Sequence, residues 1–260
     1  MIPSRRRGVR LLSATGALLG IAILTGCANV VDVADPETRG FGPATGDLMI
    51  SVSDVEHLDV RPADVDEIEV TRWFAGSSVV GGTDAVWERH EDTLRLATDC
   101  SPFLVGRCDA RYEVRVPPSV NVTIEGDSGR VSASGFDADL RITTASGALS
   151  VDDVGGALTL ETASGALRAT GIRSSVADVT AQSGEIELSF TEPPERLTTR
   201  AKSGEVTIEV PAVAYRLATT THSGEVTNAV PTDPDAEHSI TVETTSGRIT
   251  LVTGQDGPST

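Results

Sequence analysis

A Ser-Gly dipeptide that recurs about every twenty residues constrains this 260-residue chain more than any other feature. The segment T-A-S-G-A-L occurs twice, at 144–149 and at 162–167, and successive Ser-Gly pairs lie 18 to 23 residues apart. A fixed period near twenty is typical of repeat architectures, in which one short unit is stacked many times. The pairs are Ser128-Gly129, Ser146-Gly147, Ser164-Gly165, Ser183-Gly184, Ser203-Gly204, Ser223-Gly224 and Ser246-Gly247.

Apolar or small residues alternate with polar ones on both sides of each dipeptide. They lie two and four positions after the glycine, as at Leu149 and Val151, and seven and five positions before it, as at Leu158 and Leu160. A period of two predicts strand, Ser-Gly turn, strand in every repeat. Stacked in chain order, the repeats would form an inner ladder of Leu140, Leu158, Ala177, Leu197, Leu217 and Ile240.

One repeat cannot bury its apolar pair alone, so the repeats must stack on one another. We therefore predict an all-β fold, a repetitive β-solenoid of stacked β-strand layers with about 18–20 residues per repeat. At a strand spacing of about 4.8 Å, seven layers give a rod of about 30 Å. The sequence leaves open whether the chain winds as a coil or runs as a meander.

The glycines and serines are interpreted as turn residues. A turn between short strands often needs a positive φ, which glycine adopts without steric cost. A role for the serines as nucleophiles has little support, because no G-x-S-x-G elbow surrounds them. Only Ser223 has an adjacent histidine, His222, and adjacent strand residues point to opposite faces.

The first 26 residues predict a lipoprotein signal peptide. A basic start with Arg5, Arg6 and Arg7 precedes an apolar run too short and too glycine-broken to span a membrane comfortably. The sequence L-T-G-C then ends at Cys27 and resembles the bacterial lipobox, L-[AST]-[GA]-C, in which the cysteine is lipidated. The resemblance implies export and a lipid anchor on the outer face of the cell membrane, while Sec and Tat export both stay open. Residues 27–46 are expected to be a flexible tether.

The formal charge limits the partners that the chain could bind. The chain carries −17, and removal of residues 1–26 takes away four arginines and no acid, which leaves −21. Such an acidic body is expected to repel nucleic acid and anionic headgroups. We therefore predict no nucleic-acid partner.

Two further cysteines, Cys100 and Cys108, lie close together in the sequence DCSPFLVGRCD. In an exported protein, this spacing predicts a disulfide across a hairpin loop. A metal site would need more ligands nearby, so we predict no metal and no cofactor.

The middle of the chain carries a more specific resemblance. Residues 112–135 read YEVRVPPSVNVTIEGDSGRVSASG and precede the TASGAL repeats and the segment KSGEVTIEV. Together these segments resemble the bacterial putative-adhesin, or toast-rack, family of β-strand-repeat envelope proteins. The resemblance covers residues 47–253, with N-terminal layers at 47–120, Ser-Gly repeats at 121–253 and a tail at 254–260. It implies an envelope protein and supplies no catalytic residues.

These features favour a non-enzymatic, lipid-anchored envelope protein, either an adhesin-like interaction protein or a scaffold associated with envelope stress. The alternative is a carbohydrate-active β-helix enzyme acting on envelope glycans, which needs convergent carboxylates and aromatic platforms. Acid pairs do occur, such as Asp152-Asp153, but DDVGG is interpreted as a bend between strands. Trp73, Phe74 and Trp87 are expected to cap the open end of the solenoid or to form an exposed patch. The loops Thr191–Arg196 and Pro231–His238 are the expected location of any partner site.

Overall fold

A computed structural model describes residues 35–44, 46–76, 83–100 and 108–254. These residues form 21 strands and no helix, which confirms the predicted all-β solenoid. Accordingly, no helix in this part of the chain is long and apolar enough to cross a membrane. The strands are β1 Glu37–Gly40, β2 Asp47–Ser53, β3 His57–Pro62, β4 Glu69–Gly76, β5 Thr83–His90, β6 Thr93–Cys100, β7 Cys108–Val116, β8 Asn121–Gly126, β9 Arg130–Phe136, β10 Leu140–Ser146, β11 Ala148–Val154, β12 Leu158–Ser164, β13 Leu167–Ile172, β14 Val176–Ser183, β15 Ile186–Phe190, β16 Arg196–Ser203, β17 Val206–Val210, β18 Arg216–Ser223, β19 Val226–Asn228, β20 Ser239–Ser246 and β21 Ile249–Thr253.

The strands form two sheets, and the chain winds between them as a coil. We call the sheet that contains β11 and β13 sheet A and the sheet that contains β10 and β12 sheet B. In each repeat a strand of sheet B leads through the Ser-Gly turn to a strand of sheet A, as from β10 to β11 and from β12 to β13. Strands of successive coils pair in parallel and in register, for example Leu140 with Leu158. The inner face is apolar, since Leu140, Leu158 and their counterparts in sheet A are almost fully buried. The wound coil settles the alternative that the sequence left open.

The coils do not stack in chain order at either end. Sheet A runs β1-β4-β7-β3-β9-β11-β13-β15-β17-β21-β19, and sheet B runs β18-β20-β16-β14-β12-β10-β8-β2-β6-β5. The final coil, β20/β21, therefore lies between β16/β17 and β18/β19. At the other end, β2/β3 likewise lies between β6/β7 and β8/β9. With ten or eleven strands per sheet, the solenoid is roughly 45 to 50 Å long, because the N-terminal strands extend the stack beyond the seven Ser-Gly layers.

The predicted ladder order is therefore wrong after Leu197, because Ile240 follows Leu197 and Leu217 comes last. The inward-facing residues explain why the last two coils lie in reversed order in the stack. Ile240 is fully buried between two neighbours, whereas Leu217 is only half-buried and Val226 is 38% exposed in the end coil. An outermost layer has one open face, so it tolerates the more polar coil, and Asn228 of β19 is exposed there.

The Ser-Gly corners stack directly on one another. All seven glycines have positive φ, as predicted, with values from 92° to 159°. A Cβ built on Gly165 would lie 1.7 Å from the carbonyl oxygen of Gly147 in the preceding coil. Glycine is therefore required at this corner for the close approach of two backbones as well as for its dihedral angle.

Antiparallel strands close the N-terminal end. β4 pairs with β7 and β5 pairs with β6, and β1 is added outside β4. The predicted tether at 27–46 is therefore wrong at residues 37–40, which form β1. Phe74, Trp87 and Phe41 pack against the core, and the rings of Phe41 and Trp87 meet edge to face at 5.8 Å. These contacts confirm the predicted cap for Phe74 and Trp87.

Candidate functional site

The outer faces of the repeat sheets carry cross-layer ion pairs. Arg200 lies 3.4 Å from Glu243 and 3.8 Å from Asp178, which belong to the two neighbouring strands of sheet B. Arg168 pairs with Glu187 on sheet A in the same manner. The side chains are about half exposed, so each pair adds little stability in water. The faces are broad and polar, and the paired charges neutralise one another across neighbouring strands.

The acid pair that could have served a glycosidase is bound within a structural network. Arg173 donates to Asp153 at 2.9 Å and to Asp137 at 3.0 Å, while Asp152 accepts a hydrogen bond from Thr170 at 2.6 Å. The hydrogen bonds with Asp153 and Asp137 raise the pKa of Arg173. The predicted bend at DDVGG is wrong for the acid pair, because both acids lie within β11. Asp153 has a φ of 53°, so a bulge in the strand turns both carboxylates outward.

The aromatic residues of the repeats cannot serve as sugar platforms. Phe136 and Tyr215 have no exposed surface, and Phe190 is 4% exposed. The Tyr215 hydroxyl donates to the carbonyl oxygen of Pro211 at 3.1 Å. Burial raises the pKa of Tyr215 to about 12. All three rings therefore contribute to packing and not to an exposed groove.

The two loops expected to hold a partner site meet in the structure. The Nδ1 atom of His238 lies 3.0 Å from the carbonyl oxygen of Pro194. Ser239, directly after the second loop, donates its hydroxyl to the carbonyl oxygen of Glu195 at 3.0 Å. The inserted position of β20 brings these loops together, because β20 pairs with β16. We call the two loops, 191–196 and 231–238, the late-loop surface. Its exposed acids are Glu192, Glu195, Asp233, Asp235 and Glu237.

A row of basic side chains lies on the outer face of sheet A near the N-terminal end. His57 of β3 is in register with Arg111 of β7 on one side and with Arg130 of β9 on the other. Both arginines are exposed, and His57 is half-buried. Burial and then Arg111 lower the pKa of His57, with Asp59 opposing them. We call these residues the Arg111/His57/Arg130 row.

The row cannot be recognised in the sequence, because its members come from three distant segments. Only the insertion of β3 between β7 and β9 brings them together. The row borders an open depression of about 560 Å³, which is also lined by Glu56, Gly129, Gly147 and Ala148.

The predicted modification sites fall at the margins of the described structure. Cys27 lies outside the described residues. Cys100 ends β6 and Cys108 begins β7, but their side chains lie outside the described part, as do residues 101–107. The disulfide stays a prediction that non-reducing peptide mapping can test. Within the described ranges, no three His, Cys, Asp or Glu side chains are grouped to hold a metal ion.

Comparison with known proteins concerns the fold. Among solved structures, a putative adhesin from Bacteroides fragilis NCTC 9343 is 10% identical, with 84% of this chain and 97% of that chain covered and a TM-score of 0.50. A putative adhesin from Parabacteroides distasonis ATCC 8503 is 11% identical, with coverages of 85% and 98% and a TM-score of 0.47. A putative lipid binding protein from the same organism is 15% identical, with coverages of 84% and 97% and a TM-score of 0.38. No curated protein matches the chain.

A family model covers the repeats and the strand before them. The Toastrack DUF4097 model matches residues 113–252, which is more than half of the chain and spans the wound coils from β8 to β21. The stacked parallel strands in two sheets agree with that assignment. The chain belongs to the Toastrack DUF4097 family.

Proposed function

We propose that the chain is a non-enzymatic, adhesin-like scaffold of the cell envelope, held on the outer face of the cell membrane by a lipid on Cys27. The scaffold role rests on the observation that acidic and aromatic side chains of the repeats are engaged in structural contacts. The carboxylates of Asp137 and Asp153 pair with Arg173, and the repeat aromatics are buried. What the solenoid presents to its surroundings is an extended polar surface, which suits contact with a partner better than bond cleavage.

The anchor is supported by the lipobox-like L-T-G-C and by the length of chain between Cys27 and the fold. β1 begins at Glu37, ten residues after the cysteine. Ten residues reach at most about 35 Å when fully extended. A lipid at Cys27 would therefore keep the N-terminal end of the solenoid close to the bilayer. Two acyl chains give stable attachment where one alone is marginal.

The late-loop surface is our candidate for the partner contact. It is formed by two connections rather than by the repeated sheet faces, and such loops vary more easily than the elements that they join. Five exposed carboxylates favour a partner with basic groups at the contact.

The anchor is tested by Cys27→Ala, with Thr25→Ser as the matched control that keeps the lipobox pattern. Cys27→Ala should lose incorporation of labelled palmitate and keep the uncleaved leader, while Thr25→Ser should behave as wild type. Both variants should keep the β-sheet circular dichroism spectrum, since neither residue belongs to the described fold. Equal palmitate labelling of Cys27→Ala and wild type would refute the proposed anchor.

A further inference from the structure

The Arg111/His57/Arg130 row has the composition of an anion site. Neither arginine forms an ion pair with any residue in the described ranges, whereas Arg61 and Arg115, on the same two strands as His57 and Arg111, both pair with Glu113. Adjacent strands lie about 4.8 Å apart, so the two arginines arise about 10 Å from each other with His57 between them. Two arginine side chains that start about 10 Å apart are long enough to reach one group bound over the outer face of His57.

The surroundings of the row leave room for a ligand. Gly129 and Gly147 border the depression without side chains, and the next residue of the row in β11 is the small Ala148. On the other side, the guanidinium of Arg111 lies 4.9 Å from the centre of the Trp73 ring, in a cation–π contact. Glu56 is the carboxylate that lines the depression, and Asp59 lies one step further along β3. Arginine forks match the oxygens of a phosphate group and bind it in bidentate fashion.

The row also lies at the end of the sheet where the chain enters the fold. Glu37 is in register with Arg72, so the preceding residue, Pro36, lies level with Trp73 and hence with the row. β7 is two strands from β1 and β9 is four strands from it, which places the row roughly 10 to 20 Å from the entry point. A chain anchored at Cys27 would bring this end of the solenoid to the headgroup layer.

We propose that the Arg111/His57/Arg130 row binds the phosphate group of an anionic phospholipid beside the anchor. This step rests on the proposed anchor at Cys27, which supplies the nearby bilayer. Charges are screened over about 8 Å at physiological salt, so most of the chain's acids act only weakly on a group bound in the depression. A headgroup in the depression therefore experiences the two arginines more strongly than the distant carboxylates of the late-loop surface.

The test uses the purified mature chain, residues 27–260 with Cys27→Ala, so that neither acylation nor the basic and apolar leader contributes to binding. Flotation with vesicles of phosphatidylcholine containing 30% phosphatidylglycerol is compared with flotation on phosphatidylcholine alone. Each basic residue near an anionic surface contributes about fivefold to partitioning, so Arg111→Gln with Arg130→Gln should lower the partition coefficient roughly 25-fold. The control pair, Arg168→Gln with Arg200→Gln, removes the same charge from exposed ion pairs elsewhere and should change it less than threefold.

A second arm separates the two sources of phosphate. Inorganic phosphate is titrated while the ring signals of His57 are followed by NMR. Selective binding to the anionic vesicles that is lost only in the Arg111/Arg130 pair supports the proposal. Equal losses in both pairs would overturn it, as would saturation of His57 by free phosphate without vesicle preference. Failure of wild type to carry a lipid would refute the anchor alone, because the vesicle assay does not depend on acylation.

Discussion

Thr199→Val is expected to stabilise the solenoid, because Thr199 places a hydroxyl group on the buried inner face. Thr199 lies on the inner face of β16 and has no exposed surface. Its neighbours in the same inner row are Val179 of β14 and Val242 of β20. Its Oγ1 atom has no hydrogen-bond partner among the residues that the structure describes. Valine has nearly the same shape and would continue the row of methyl groups.

The size of the effect follows from the cost of burying an unpaired polar group. Leaving such a group unsatisfied costs about 1–3 kcal/mol, and an apolar residue of the same shape removes that cost. We therefore expect Thr199→Val to raise the free energy of unfolding by about 1–2 kcal/mol. For a domain of this size, that gain corresponds to an increase in Tm of about 2–8 °C.

Urea unfolding followed by circular dichroism measures this change as a shift of the midpoint at constant slope. Thr198→Val is the matched control, because Thr198 lies next to it on the outer face of β16 and is only half-buried. The control makes the same chemical change and should alter stability by less than about 0.5 kcal/mol. A loss of stability in Thr199→Val, or an equal gain in both variants, would refute the reasoning.

Three further predictions test the corner, the register and an acid-sensitive ion pair. Gly165→Ala should cost well over the ~1–2 kcal/mol of left-handed strain, because its Cβ would meet a backbone oxygen at 1.7 Å. Gly135→Ala also has positive φ but open space, so thermal melting should show only that strain. Ile208→Asp should unfold the domain in the same assay and Thr207→Asp should not, since only Ile208 is fully buried; equal losses would refute the register. Burial opposes a low pKa for Glu113, but hydrogen bonds from its two arginine partners lower that pKa below the usual value for a glutamate. The stabilisation from ionised Glu113 should therefore be present above the pKa that Glu113 has in the unfolded chain, and it should be lost as the pH falls through the pKa of the folded state. Urea midpoints of wild type and Glu113→Gln should therefore converge as the pH is lowered.

The repeat itself could be predicted from the sequence because its signals are local. Each Ser-Gly turn and its flanking alternation lie within about twenty residues, and they placed Leu158 and Ile208 on the inner face correctly. The close stacking at Gly165 could not be predicted in the same way, since it depends on the distance between two successive coils.

The order of the coils could not be predicted because it depends on competition between layers. Ile240 and Leu217 occupy equivalent positions in the repeat. Which of the two coils lies inside the stack depends on the polarity of the whole coil and not on either residue alone. β1 escaped prediction for a similar reason, because residues 37–40 have little apolar character and are ordered by pairing with β4. The Arg111/His57/Arg130 row is a consequence of such non-local pairing and has no counterpart in any short segment of sequence.

The central claim, a scaffold held at the membrane through Cys27, is tested most directly by mass spectrometry of the N-terminal peptide from membrane-derived protein. We predict a peptide that begins at Cys27 and carries the mass of a diacylglyceryl group on that residue. A peptide that begins upstream of Cys27, or one that begins at Cys27 without added mass, would contradict the account.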